Sequence, residues 1–314
     1  MFNLKSIVRP ILLAAFIFGQ CDCSKAHDNS LSEKIKSAQV MICSILKNED
    51  LYIDEWLEYH RYLGFDRVQL YDNAINASSH IASLPEKYGS FVNVTHFPGL
   101  GKQVTAYRDC VAKNKDHNMW AAFMDIDEFV VLRKHPNIKS FLQDVAPLGG
   151  SVALGWSIVG ANNSMHHMPG PVVVRFVLTS VVPDRHVKTI AYLDHVLDPD
   201  IHNTHILPGY PSVNQHGRQI NCKSPYVYNN TREVAYMNHY YTKSLEEFTL
   251  KRQRGWASSY RRNHLVQGDG EEQHARIVGD FNVHNKHTNV LLDTTARDFY
   301  IKHHTNGTAN STLM

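Results

Sequence analysis

The first half of the chain switches between two hydrophobic periods. Val40 to Leu46 (V-M-I-C-S-I-L) is a short, nearly unbroken apolar run, the pattern of a strand buried on both faces. Lys47-Asn48-Glu49-Asp50 turns the chain. Ile53, Trp56, Leu57 and His60 then recur at helical spacing, which predicts an amphipathic helix over 51–63 ending near Gly64. Asp66 to Tyr71 reads as a second strand ending in Asp72-Asn73. A short helix around 81–88 and a third strand from Val92 to Phe97 follow. Residues 102–117 are helical in pattern, and Trp120 opens a fourth strand. Strand and helix in alternation predict an α/β fold on a doubly wound, mostly parallel sheet.

The second half is less regular. Ser151 to Val159 and Val172 to Thr179 read as strands, separated by a segment from Gly160 to Gly170 rich in Asn, His and Pro. Leu245 to Trp256 predicts a helix with a basic face of Lys251, Arg252 and Arg254. Residues 24–38 read as a loose polar stem, 39–302 as the folded domain and 303–314 as a disordered tail.

The stretch from Trp120 to Leu132 (W-A-A-F-M-D-I-D-E-F-V-V-L) carries the strongest chemical signal. Its apolar run ends abruptly in Asp125, Ile126, Asp127 and Glu128, where a parallel sheet presents ligand sites beyond its carboxyl ends. On an extended backbone, Asp125 and Asp127 point the same way. Two such carboxylates need a nearby cation to stay charged together, and hard oxygens suit Mg²⁺ or Mn²⁺, which can hold a diphosphate. The plainer alternative is a strand ending in a solvated acidic turn. Together with Lys47-Asn48-Glu49 and Asp72-Asn73, these residues would line one crevice. There Asp72 would meet a base or ribose, and Asn48 the phosphates. Helix caps and turns explain each cluster singly just as well. G-x-G-x-x-G and G-x-x-x-x-G-K-[ST] are both absent from the sequence. In Asn238-His239-Tyr240-Tyr241-Thr242-Lys243-Ser244, His239 is placed to complete a metal shell and Lys243 to neutralise phosphate, against ordinary packing for His239.

Composition adds an address. A net charge of +2 with no long basic run gives no reason to expect nucleic acid as partner. The 20 histidines would raise that charge in a mildly acidic compartment. Lys5 and Arg9, then Ile11 to Phe18, then Gly19, Cys21, Cys23 and Ser24, form a secretory signal pattern over residues 1–23. The apolar segment is short for a span of ~20 residues, so a cleaved signal is expected ahead of a short type II anchor, the one membrane contact foreseen. The expected location is the Golgi lumen or the exterior. Sequons at Asn76, Asn93, Asn162, Asn229, Asn306 and Asn310 agree with that route. Beyond the signal, only Cys43, Cys110 and Cys222 remain. Cys43 reads as a buried free thiol, and a bridge between Cys110 and Cys222 stays open.

Six blocks give the chain a relative. L-K-N-E-D-L-Y-I-D-E-W-L-E-Y-H-R-Y-L-G-F-D-R-V-Q-L-Y-D-N (Leu46 to Asn73), W-A-A-F-M-D-I-D-E-F (Trp120 to Phe129) and H-Y-Y-T-K-S-L-E-E-F-T-L-K-R-Q-R-G (His239 to Gly255) are the specific ones. G-W-S-I-V-G-A-N-N, V-V-V-R-F and V-K-T-I lie between them. In this order the blocks resemble glycosyltransferase family 92, and a subgroup of family 2 shares the first two. The resemblance implies a GT-A-type fold with an irregular acceptor-side second half, a UDP-sugar donor (usually UDP-galactose), a glycan acceptor and transfer with inversion. It implies further that Asp125 and Asp127 are a D-x-D pair binding Mn²⁺ and the diphosphate, that Asp72 contacts uridine and that His239 is a third ligand. The family often has F-G-S-x-G where this chain has Val159 to Asn163, and E-R-F where it has Val174-Arg175-Phe176. Both departures fall in the half that receives the acceptor and leave its identity open.

Inverting transfer also needs a base for the acceptor hydroxyl. Glu128, Asp184, His186 and His166 are candidates, with Asp184 favoured as it sits in a polar turn between acceptor-side strands; a simple Pro-Asp turn is the alternative. Two rival classes remain: a catalytically inactive secreted carbohydrate-binding protein of the same fold, and a metal-dependent phosphoesterase. The latter lacks the dense ligand clusters it would want.

Overall fold

The computed structural model describes residues 29–221, 224–255 and 270–311. The signal-like segment and Cys222 therefore lie outside the described residues.

Helix α1 (Asn29–Lys36) occupies the expected stem and buries Ile35 in the core. Strand β1 (Gln39–Leu46), helix α2 (Ile53–Tyr62), strand β2 (Arg67–Asp72), helix α3 (Ser79–Tyr88), strand β3 (Val92–His96), helix α4 (Gln103–Asn114) and strand β4 (Met119–Phe123) follow in the expected alternation. Gly64 ends the turn after α2 at φ 96°, a left-handed geometry that glycine adopts without strain. Strands β1, β2, β3 and β4 pair parallel in the order β3-β2-β1-β4, so the winding reverses beside β1. Alternate residues of β1 explain its unbroken apolar pattern. Val40, Ile42 and Leu46 pack with α2 and α3, while Met41, Cys43 and Ile45 pack with α4 on the other face.

Trp120 to Leu132 is not one strand. After β4 the chain turns sharply, the Glu128 N–H donating to the Asp125 carbonyl at 3.1 Å, and leaves as β5 (Glu128–Leu132). Helix α5 (Ile138–Val145) and strand β6 (Ser151–Ile158) come next. The expected strand over Val172–Thr179 is instead a short helix, α6 (Val172–Arg175), followed by the two-residue β7 (Leu178–Thr179). The cause is a distant carboxylate: Glu55 on α2 accepts the N–H groups of Val172 (2.6 Å) and Val173 (2.9 Å), just after Pro171. Those are the orphan amides of a helix start, and an acid there satisfies them.

Strand β8 (Val187–Tyr192) inserts antiparallel between β4 and β6. Strands β9 (Val196–Pro199) and β10 (Thr204–Ile206) form a separate antiparallel pair, and β11 (Ser212–Asn214) adds to β6. Strand β12 (Ala235–His239) lies between β6, parallel, and β5, antiparallel. The result is a mixed α/β domain on one large sheet in the order β3-β2-β1-β4-β8-β6-β12-β5. Helix α7 (Leu245–Arg254) matches the basic helix expected there, opened by a reciprocal Ser244–Glu247 capping box.

Two expectations fail on sequence-distant contacts. Cys43 is not a free thiol: it is bridged to Cys110, tying β1 to α4, so the alternative Cys110–Cys222 bridge falls as well. The helix Thr295–Ser311 runs past 303, where a disordered tail over 303–314 was expected; His303 stacks on Tyr62 and His304 lies 3.3 Å from Glu58, both on α2. Among the described residues, no helix is long and apolar enough to cross a membrane.

Candidate active site

Where the winding reverses, a cleft of about 440 Å³ opens at the carboxyl ends of β1 and β4. Lys47 and Glu49 enter it from the end of β1, Asp125 and Asp127 from the turn after β4, and Asp184 and His186 from the segment before β8. Trp156 on β6, His239 at the end of β12, and Lys251 and Arg254 on α7 complete the lining used below.

The acidic turn is braced before it meets any ligand. Trp56 donates its indole N–H to the Glu128 carbonyl at 2.8 Å, and Tyr59 its hydroxyl to the Val130 carbonyl at 2.9 Å. The Tyr240 N–H donates to the Asp127 carbonyl at 2.8 Å, which sets His239 beside Asp127. Turn geometry, rather than strand alternation, therefore brings both carboxylates to the cleft.

Each carboxylate already has a cation. Lys188 on β8 donates to Asp125 at 3.0 Å, and Gln103 on α4 donates to the other oxygen at 2.6 Å. Lys188 is only 1% exposed. Burial works against its charge, but Asp125 and Glu128 outweigh it and raise its pKa. Glu128, 3.5 Å from Lys188, is fully buried and burial pushes its carboxyl well up. It accepts the Asp125 N–H at 2.8 Å and acts as a brace under the turn, outside the cleft lining. Asp127 pairs with Lys251. Burial opposes its ionisation, yet Lys251 and His239 hold its carboxyl well below the usual range.

His239 lies 3.6 Å (Nε2) from Asp127 Oδ1, and burial lowers its pKa, keeping the ring neutral. Its Nδ1 is buried and has no hydrogen-bond partner among the described residues. An ionised carboxylate beside a neutral imidazole is the protonation state in which both bind metal. Among the described residues, no three His, Cys, Asp or Glu side chains converge on one point. Asp127 and His239 are thus a donor pair of the kind that could hold a hard divalent cation at two points. The Asp125 carboxylate is turned to Lys188 and Gln103 instead.

The remaining candidates divide. Asp184 and His186 sit together in the cleft, Nδ1 of His186 lying 2.6 Å from Asp184 Oδ1. Asp72 is buried and accepts the Ala74 N–H at 3.0 Å, while Asn73 donates to the Phe97 and Gly99 carbonyls. That cluster braces its own turn and is not part of the cleft lining. Asn48 is exposed at φ 52°, its carbonyl accepting from Arg254; its neighbours Lys47 and Glu49 face the cleft in its place. Lys243 is buried outside the cleft lining with its ammonium 4.4 Å from the Tyr52 ring centroid, and burial lowers its pKa. His166 is exposed, 3.6 Å from Glu246.

Besides Lys47, the cations that line the cleft come from α7. Lys251 holds Asp127, and Arg254 holds Glu49. The basic face of 245–256 signalled both, whereas Lys188 was marked only by lying in the V-K-T-I block. Gln103 had no signal beyond its place at a helix start.

Residues 38–267 match the family model described as glycosyltransferase family 92. A family 92 protein of Ricinus communis is 25% identical over 187 residues, 57% of this chain and 34% of that protein. One of Arabidopsis thaliana is 28% identical over 191 residues, 57% of this chain and 31% of that protein. The chain thus spans about a third of the length of these curated relatives. Among solved structures, S. aureus TarS aligns at 12% identity and TM-score 0.36, over 77% of this chain and 42% of that one. With the family model matched over well more than half its length, the chain belongs to glycosyltransferase family 92.

Proposed function

We propose that the protein is a metal-dependent inverting glycosyltransferase that moves a sugar, galactose in the first instance, from a UDP-sugar to a glycan acceptor. We place it in the lumen of the secretory pathway, in the Golgi or beyond. One observation carries the reading: the cleft at the winding reversal brings Asp127 and His239 together with Lys47, Lys251 and Arg254. A diphosphate needs that combination, cations for its own charge and a carboxylate–imidazole pair for the cation that accompanies it.

Asp127 and His239 would hold Mn²⁺ or Mg²⁺, which when bound stabilises negative charge on the departing UDP as a Lewis acid. Lys251 lies on Asp127 and within reach of the same space, so it is available to the diphosphate once Asp127 takes another cation. Arg254 closes the wall next to Glu49. Asp125 orients the turn through Lys188 and Gln103. Lys243, buried against Tyr52, in our reading takes no direct part in the chemistry.

The check is calorimetric titration of Lys251→Met with UDP. A lost charge-assisted hydrogen bond is worth about 1.5–3 kcal/mol, so the affinity should fall by about tenfold or more. Wild-type affinity in this variant would remove Lys251 from the donor site. Glycan binding without any UDP binding by the wild type would favour the carbohydrate-binding alternative.

A further inference from the structure

We propose that the acceptor hydroxyl is deprotonated by His186, with Asp184 as the residue that positions it, rather than by a carboxylate directly. This rests on the transferase reading above. Asp184 Oδ1 accepts two hydrogen bonds from His186, the backbone N–H at 2.8 Å and ring Nδ1 at 2.6 Å. That contact holds the Asp184 carboxyl below its usual range, so an ionised oxygen faces Nδ1 and the proton of the neutral ring must be there. Nε2 is left with its lone pair free, and no described residue hydrogen-bonds to it.

The ring is also fixed in space. His186 stacks on Trp156 (centroids 4.9 Å, 24° between planes) and meets the Tyr226 ring edge at 4.7 Å. Asn230 donates to the Asp184 carbonyl at 2.9 Å, and the Asp184 N–H donates to the Trp156 carbonyl at 2.8 Å, so the dyad is anchored to β6. A cleft-lining side chain that is stacked, hydrogen-bonded at one nitrogen and without a hydrogen-bond partner among the described residues at the other has the arrangement of a general base with its orienting acid. The other candidates lack it: Glu128 is buried beneath Lys188, and His166 is out on the surface.

The step balances. The acceptor oxygen bonds to the anomeric carbon, the bond from that carbon to the UDP oxygen breaks, and its electron pair leaves on UDP. The hydroxyl proton passes to Nε2 of His186 and then to solvent. The charged and titratable groups around the ring are Asp184 and Arg185 on its own segment, Lys188 two residues on, His202 at 5.3 Å, Tyr226, and His239 across Trp156.

The test measures UDP release from UDP-galactose, UDP-glucose and UDP-N-acetylglucosamine with water as acceptor, across pH, with UDP affinity and thermal midpoint recorded for every variant. His186→Gln should bind UDP as the wild type does and lose about a hundredfold or more in kcat. Added imidazole should restore activity to His186→Ala. Asp184→Asn should be slower in kcat by a smaller factor than His186→Gln, with UDP affinity and thermal midpoint near those of the wild type, because the ring keeps its place on Trp156 but loses the carboxylate on Nδ1. Near wild-type kcat in His186→Gln together with an inactive Asp184→Asn would overturn the assignment and make Asp184 itself the base. No UDP binding by the wild type would instead bring down the transferase reading on which it rests.

Discussion

Replacing Lys188 with methionine should cost about 3–5 kcal/mol of stability, because it strands carboxylates that were folded around a buried ammonium. Lys188 is 1% exposed, contacts Asp125 at 3.0 Å and Glu128 at 3.5 Å, and lies on β8 between β4 and β6. Methionine fills much of the same volume, so the loss measures missing charge more than a cavity. The deficit should depend on pH. Without the lysine, the buried Glu128 carboxyl, already pushed up by burial, holds its proton more tightly folded than unfolded, so stability lost at neutral pH should partly return as pH falls. Guanidinium unfolding of both proteins at pH 7 and about pH 5 checks this, the gap narrowing at the lower pH. A gap independent of pH would mean that Lys188 acts through packing.

The second large effect concerns the bridge between Cys43 and Cys110. The cysteines are 67 residues apart, and both are fully buried. Loop-closure entropy for that separation corresponds to about 4 kcal/mol. The Cys43→Ala/Cys110→Ala variant should lose stability on that order in guanidinium titration. It should also bind UDP less tightly, because the bridge ties α4, which carries Gln103, to β1, which ends in Lys47 and Glu49. An unchanged unfolding midpoint would show that the reduced chain keeps the same packing unaided.

The sequence carried the frame of the domain and lost the parts that depend on distant partners. β1 to β4 and their helices were legible because strand runs of five to eight residues alternate with helical spacing, and local pattern decides such elements. Val172–Arg175 misled because valines favour strands, and the acceptor that turns them into a helix, Glu55, lies 117 residues back. Cys43 looked like a free thiol because nothing near it in the chain points to Cys110. At the site, Asp125, Asp127, His239 and Asp184 do reach the cleft. Asp72, Asn48 and Lys243 were picked by position in a cluster, and each serves its own turn, cap or buried contact instead. The charge balance was the least legible part. Lys188 and Lys251 come from 63 and 124 residues away to neutralise two aspartates whose own neighbours are acidic or apolar.

The most direct measurement is calorimetric titration of the protein with UDP, with and without Mn²⁺, alongside Asp127→Ala. Asp127 touches both His239 and Lys251, so in the proposed reading it is where metal and diphosphate would meet. The account predicts UDP binding that depends on Mn²⁺ and disappears in Asp127→Ala. UDP binding that is indifferent to Mn²⁺ and intact in that variant, or absent under every condition, would contradict it.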